Sequence, residues 1–125
     1  MSKKSKFLLV VVLIICSVIG FMLKLPRVFR HYDKELHTLF YFCATLFMAS
    51  LYPRKWFLVA FLLAIFGIGI EAAQSFSNRI SIRLIGKAIH GRFDIEDVWA
   101  NCMGIGAGLV IFLVFMGMKR LVVRS

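Results

Sequence analysis

"DKELHTLFYF", residues 33–42, starts an apolar run with three charges and an imidazole. Asp33, Lys34, Glu35 and His37 stand directly against a stretch that stays apolar as far as Leu51. A charged side chain within a membrane span costs about 2.5–3.5 kcal/mol on insertion scales. Such a helix therefore needs polar partners at the same depth, and the rest of the chain has to supply them.

The chain has 125 residues, 61% of them hydrophobic and 18% charged, with a mean hydropathy of +0.87. A soluble domain is usually less than about half apolar and about a quarter charged. The length suits one domain, residues 1–125. A net charge of +10 would suggest nucleic acid in a soluble protein. Here Lys and Arg sit at the ends of apolar runs, where they anchor helices to lipid headgroups. The lipid bilayer is thus the expected partner, and nucleic acid is not. Cys16, Cys43 and Cys102 are odd in number, lie inside apolar segments and form no C-x-x-C. They read as free thiols acting as small hydrophobes rather than as a disulfide or zinc framework.

Four apolar segments predict an all-α membrane protein, a four-transmembrane-helix bundle with spans at about 7–23, 34–51, 56–76 and 97–118. Each has the roughly 20 residues that cross a 30 Å hydrocarbon slab. "MSKKSK" before the first run resembles the start of a signal peptide, but no small-x-small cleavage site follows, so an uncleaved first helix is expected. "YPRK" supplies a tight turn after the second run, because Pro53 cannot sit inside a helix. The segment 77–96 is too long for a turn. Within it "ISIRLIGKAI" predicts a short interfacial helix between the third and fourth spans. Four spans place both termini on one side. Lys and Arg are evenly divided between the two sides, so the basic cluster before the first helix and the acids on the opposite side point to cytoplasmic termini.

The polar groups of the spans fall at one level, the end away from the termini. Asp33, His37 and Tyr41 share one helix face at i, i+4, i+8. Glu71 and Gln74 are spaced i, i+3 near the end of the third span, and Asp94, Asp97 and Asn101 follow i, i+3, i+7 at the start of the fourth. Glu71 is the clearest site candidate, with His37, Arg92 or a bound cation as its expected partner. Ordinary structural roles stand beside these readings. Asp33 and Asp97 suit helix N-caps, His37 suits a structural hydrogen bond, Asn101 suits interhelical bonding, and Tyr41 suits packing. Ala100, Gly104 and Gly108 recur at four-residue spacing, a small-xxx-small stripe expected to admit a neighbouring helix closely.

The order D-K-x-x-H-x-x-x-Y, then E-x-x-Q, then R-F-D-x-x-D-x-x-x-N-x-x-G resembles the VanZ-like family of small bacterial membrane proteins. Asp33, Lys34, His37 and Tyr41 match its first motif. Glu71 and Gln74 match the second, and Arg92, Asp94, Asp97, Asn101 and Gly104 match the third. The resemblance covers 33–108. One departure is that seventeen residues separate Gln74 from Arg92, where the family has a short loop. Arg79 is the alternative equivalent of Arg92.

The resemblance implies a multi-pass protein of the bacterial inner membrane and a cell-envelope role, linked through the founding member to low-level resistance to the glycopeptide teicoplanin. Three functions compete. The first is a VanZ-like envelope protein whose polar pocket at the outer interface takes an anionic lipid or a lipid-linked envelope precursor. The second is an enzyme on such substrates, with His37, Glu71 and Asp97 as catalytic candidates. A divalent cation is compatible with these donors, although no specific metal motif is present. The third is a structural or accessory subunit, or a small transporter working as an oligomer.

Overall fold

The computed structural model describes residues 1–22, 32–87 and 94–125. These residues form four α-helices, with no strand among them: α1 (Lys3–Met22), α2 (Asp33–Leu51), α3 (Trp56–Ile85) and α4 (Ile95–Arg124). A single 3₁₀ turn, Pro53–Lys55, links α2 to α3.

Local chemistry explains the helix ends. Asp33 and Glu35 occupy the first turn of α2, where carboxylates suit the positive end of the dipole. Pro53 stops α2, and the Tyr52 N–H closes it on the Met48 carbonyl at 3.0 Å. α4 starts at Asp94, whose Oδ1 accepts from the Glu96 N–H at 2.9 Å. The expected caps, Asp33 and Asp97, do not act as caps. Asp33 is already helical, preceded by Tyr32 with no side-chain cap bond, and Asp97 lies buried within the first turn of α4. Asp94 takes the role because it is the last extended residue before the helix.

A further difference concerns 77–96. The third helix does not end near residue 76, and among the described residues no separate interfacial helix follows it; the last two residues of the expected segment, 88 and 89, lie outside the described residues. α3 runs unbroken through "SNRISIRLI" to Ile85. None of those residues breaks a helix, and the first that favours a stop is Gly86, at φ 69°, where its N–H bonds to the Ile82 carbonyl at 3.0 Å. At 30 residues, α3 and α4 are each about 45 Å long. That exceeds the roughly 30 Å hydrocarbon layer, so their ends reach well into the interfacial region.

Three helical stretches are long and apolar enough to cross a membrane, namely Lys3–Met22, Pro53–Ile85 and Ile95–Arg124. Their outward faces carry exposed Phe7, Leu8, Phe57, Phe61, Val110 and Phe115, an apolar surface suited to lipid. α2 is not among the three, since its charged start and polar face lower its hydropathy. It is also the helix most enclosed by the others, burying His37, Tyr41, Ala44, Thr45 and Ala49. Its hydroxyls are satisfied locally, Thr45 on the Tyr41 carbonyl at 2.6 Å and Thr38 on the Lys34 carbonyl at 3.0 Å.

α2 lies along α4 for most of its length, and this is the principal seam of the molecule. Small residues make it. A Cβ at Gly104 would overlap the Thr38 carbonyl, and one at Gly108 would come within 2.9 Å of Thr45 Cβ and 3.0 Å of the Phe42 carbonyl oxygen. Ala100 is buried beside them and accepts from Thr38 Oγ1 at 3.3 Å through its carbonyl. At the terminal end of the bundle, Lys6 Nζ donates to the Leu51 carbonyl at 3.1 Å and lies 5.7 Å from the Tyr52 ring centre. There Lys6, Arg54, Lys55, Trp56 and Arg120 line an open groove of about 760 Å³.

Gly104→Ala should lower stability by about 1–3 kcal/mol through overpacking. Gly106→Ala, with nothing within 4 Å of the added carbon, should leave stability unchanged. Unfolding in mixed micelles titrated with dodecyl sulfate measures both. Equal stability of wild type and Gly104→Ala would contradict so close a seam.

Candidate functional site

The polar groups of α2, α3 and α4 meet at the end of the bundle opposite the basic groove. The seam sets their spacing. Because α2 and α4 approach at Gly104, His37 and Asn101 are brought together across it, and His37 Nδ1 bonds Asn101 Oδ1 at 2.9 Å. Both residues are buried. On its other side the imidazole Nε2 faces Asp33 Oδ1 at 3.6 Å, one helical turn away. Asp97 joins them from α4, so that one ligand-type atom from each of Asp33, His37 and Asp97 lies within 4.8 Å of the others. Among the described residues, these three could hold a metal ion.

Glu71 enters from α3 and is 2% exposed. Its Oε2 accepts weakly from the Asp94 N–H at 3.4 Å, and it is close enough to Asp97, His37 and Asp33 for their charges to act on it. Among the described residues, Glu71 Oε1, Asp97 Oδ1 and Tyr41 Oη are buried without a hydrogen-bond partner. Buried polar atoms are nearly always paired, and an unpaired one costs about 1–3 kcal/mol. Three such atoms concentrated at one end of the molecule mark the place where it stores polar capacity.

The remaining expected residues divide. Tyr41 is fully buried, with its ring 6.1 Å from Phe21 and 5.1 Å from Phe40. Lys34 stands at the exposed rim and pairs with Glu96. Gln74 turns away from the acids and donates to the Phe21 carbonyl of α1 at 2.6 Å, so it ties α1 to α3. Asp94 is the cap of α4, contributing its backbone N–H to Glu71. Arg92 lies outside the described residues. The alternative, Arg79, is exposed on α3.

Several contributors were not anticipated. Gly67 leaves the space in which Asn101 and Tyr41 meet, since a Cβ there would stand 2.8 Å from Asn101 Nδ2 and 3.2 Å from Tyr41 Oη. The signal for it was present, because Gly67 is one turn before Glu71 on the same face. Phe21 of α1 packs on the His37 ring, with centroids 5.0 Å apart. Nothing distinguishes it within its apolar run. Glu96, the partner of Lys34, carried no pattern of its own.

Chemically, the arrangement is a set of acceptors with one imidazole, backed by aromatic rings, with Asp33 part-exposed at its edge. It can bind a cation, or take up a proton from a ligand. Comparison with known proteins gave no match to a family model, to a curated protein or to a solved structure.

Gly67→Ala should push Asn101 off His37 and lower stability by about 1–3 kcal/mol, read as a changed His37 imidazole resonance in NMR together with earlier unfolding. Lys34→Gln should cost less than about 1 kcal/mol, because the pair with Glu96 is solvated at the rim. A larger loss would mean that the rim pair is a structural lock.

Proposed function

We propose that this chain is a VanZ-like protein of the bacterial cell membrane in which α2 is a fourth span and the polar end faces outward. In this reading the pocket takes an anionic, phosphate-bearing amphiphile of the envelope and thereby lessens the action of teicoplanin. α2 can sit in a bilayer despite its charges because its polar face is turned into the bundle, against Asn101 and Asp97. The basic cluster before the first helix, whose Lys6 lines the groove at the other end, supports a cytoplasmic location for the termini. Lys34 at the rim adds attraction for phosphate.

The observation that carries the reading is Glu71. It is nearly inaccessible, it sits midway along a long helix after an apolar stretch, and one of its oxygens has no partner among the described residues. An acid kept only for structure is expected to have both oxygens engaged, because a buried charge is stabilising only when well paired. Glu71 is instead free to engage a ligand.

The test is teicoplanin tolerance of a sensitive host producing wild type or Glu71→Gln at matched membrane abundance. Wild type should raise tolerance and Glu71→Gln should lose most of the gain. Equal protection by both would make Glu71 structural. No protection by wild type would remove the resistance reading.

A further inference from the structure

The hydrogen-bond chemistry around His37 constrains what lies beside it. Asn101 Oδ1 can only accept, so His37 Nδ1 carries the proton of their 2.9 Å bond. In a neutral imidazole the second nitrogen, Nε2, is then a lone-pair acceptor. It faces Asp33 Oδ1 at 3.6 Å, another acceptor. A carboxylate oxygen of Asp97 belongs to the same set, within 4.8 Å. Acceptors from two helices thus lie within 4.8 Å of one another. Two further observations point to the same place. Asp97 is 9% exposed and its Oδ1 is unpartnered, and Glu71, 2% exposed, brings a second unpartnered oxygen close by. Lone pairs facing one another in a weakly polar region repel. A positive ion at their centre turns each repulsion into a bond.

We propose that Asp33, His37 and Asp97 form a binding site for a transition-type divalent cation of the zinc class, with His37 Nε2 and one oxygen from each carboxylate as ligands. The Asn101 contact is the outer-ring bond that fixes the tautomer and orientation of a metal-binding histidine. One nitrogen with two oxygens selects an ion that accepts imidazole, unlike the all-oxygen preference of magnesium or calcium. Cys43 and Cys102 are exposed away from the cluster, so no sulfur takes part. Three protein ligands leave a coordination position for an outside group, as in catalytic rather than structural zinc sites. Glu71, with its buried and unpartnered Oε1, is close to the same three residues. The site deepens the pocket reading above, on which its ligand class rests: the outside group would be a phosphate or carboxylate oxygen of the amphiphile.

The test uses the purified full chain in detergent micelles, stripped with chelator, titrated with zinc chloride and examined by zinc X-ray absorption. The expected result is one retained zinc per chain, with a shell of one imidazole nitrogen plus oxygens and no sulfur. His37→Gln and Asp97→Asn should each weaken binding at least ten-fold. Asn101→Ala should weaken it about ten-fold, and Glu96→Gln at the rim should leave it unchanged. The wild-type spectrum decides the matter even if a variant fails to fold. Folded wild type that retains no zinc would overturn the proposal. Sulfur in the shell, or unchanged binding in both ligand variants, would overturn it as well. The two ideas fail separately: zinc binding without teicoplanin protection removes the envelope reading alone, whereas Glu71-dependent protection without zinc removes the metal alone.

Discussion

The contact between the Thr38 carbonyl and the bare backbone at Gly104 sets the distance between α2 and α4. A methyl group there would hold the helices apart, and one turn away the His37–Asn101 bond would be out of reach. The close approach also explains why α2 can carry so much polarity. His37, Tyr41 and Thr45 of α2 are buried in the bundle, where α4 presents Ala100, Asn101, Gly104 and Gly108, all buried. Close backbone packing of this kind is how helices associate where the hydrophobic effect gives no help.

Polar groups in this chain are handled in three ways. Hydroxyls such as Ser17, Thr45 and Ser50 bond to carbonyls of their own helix, at 2.6 Å in each case. Charged groups at the rims pair or face solvent, as Lys34 and Glu96 do. The third class is different. Asp97, Glu71 and Tyr41 are buried with an atom unpartnered among the described residues, all at the same end. The opposite end is basic, with Lys6, Arg54, Lys55 and Arg120 around one groove. The buried unpartnered acceptors thus lie at the end of the α2–α4 seam opposite that groove.

Much of this was legible before any coordinates. The i, i+4 spacing of Asp33 and His37 placed them on one face, and in the structure they stand 3.6 Å apart. The isolation of Glu71 in an apolar helix marked it as unusual, and it is among the most buried residues. Other features were not legible. The continuation of α3 to Ile85 was hidden because polar residues such as Ser77, Asn78 and Arg79 look like a loop by composition, although none of them breaks a helix. Gln74 shares a face with Glu71 by spacing, yet its longer side chain reaches the Phe21 carbonyl instead. Spacing gives the direction of a residue's Cβ, and the side chain's torsions take it from there.

The sequence by itself determined that the chain is helical, that three of its helices are apolar enough to cross a membrane, and that Asp33, His37, Glu71, Asp97 and Asn101 fall at one level. All of these follow from one-dimensional quantities: hydropathy, period and the distance from a charge to the nearest helix end. Only the tertiary structure decided which groups meet. It set Asn101 against His37, made Asp94 the cap and left Asp97 buried, and brought Phe21 and Gly67 into the site. The physical reason is that periodicity fixes a face on each helix but leaves free the helix's rotation and depth against its neighbours. Those are set by steric contact at a few small residues, and a shift of about one residue, 1.5 Å along the axis, would pair different atoms.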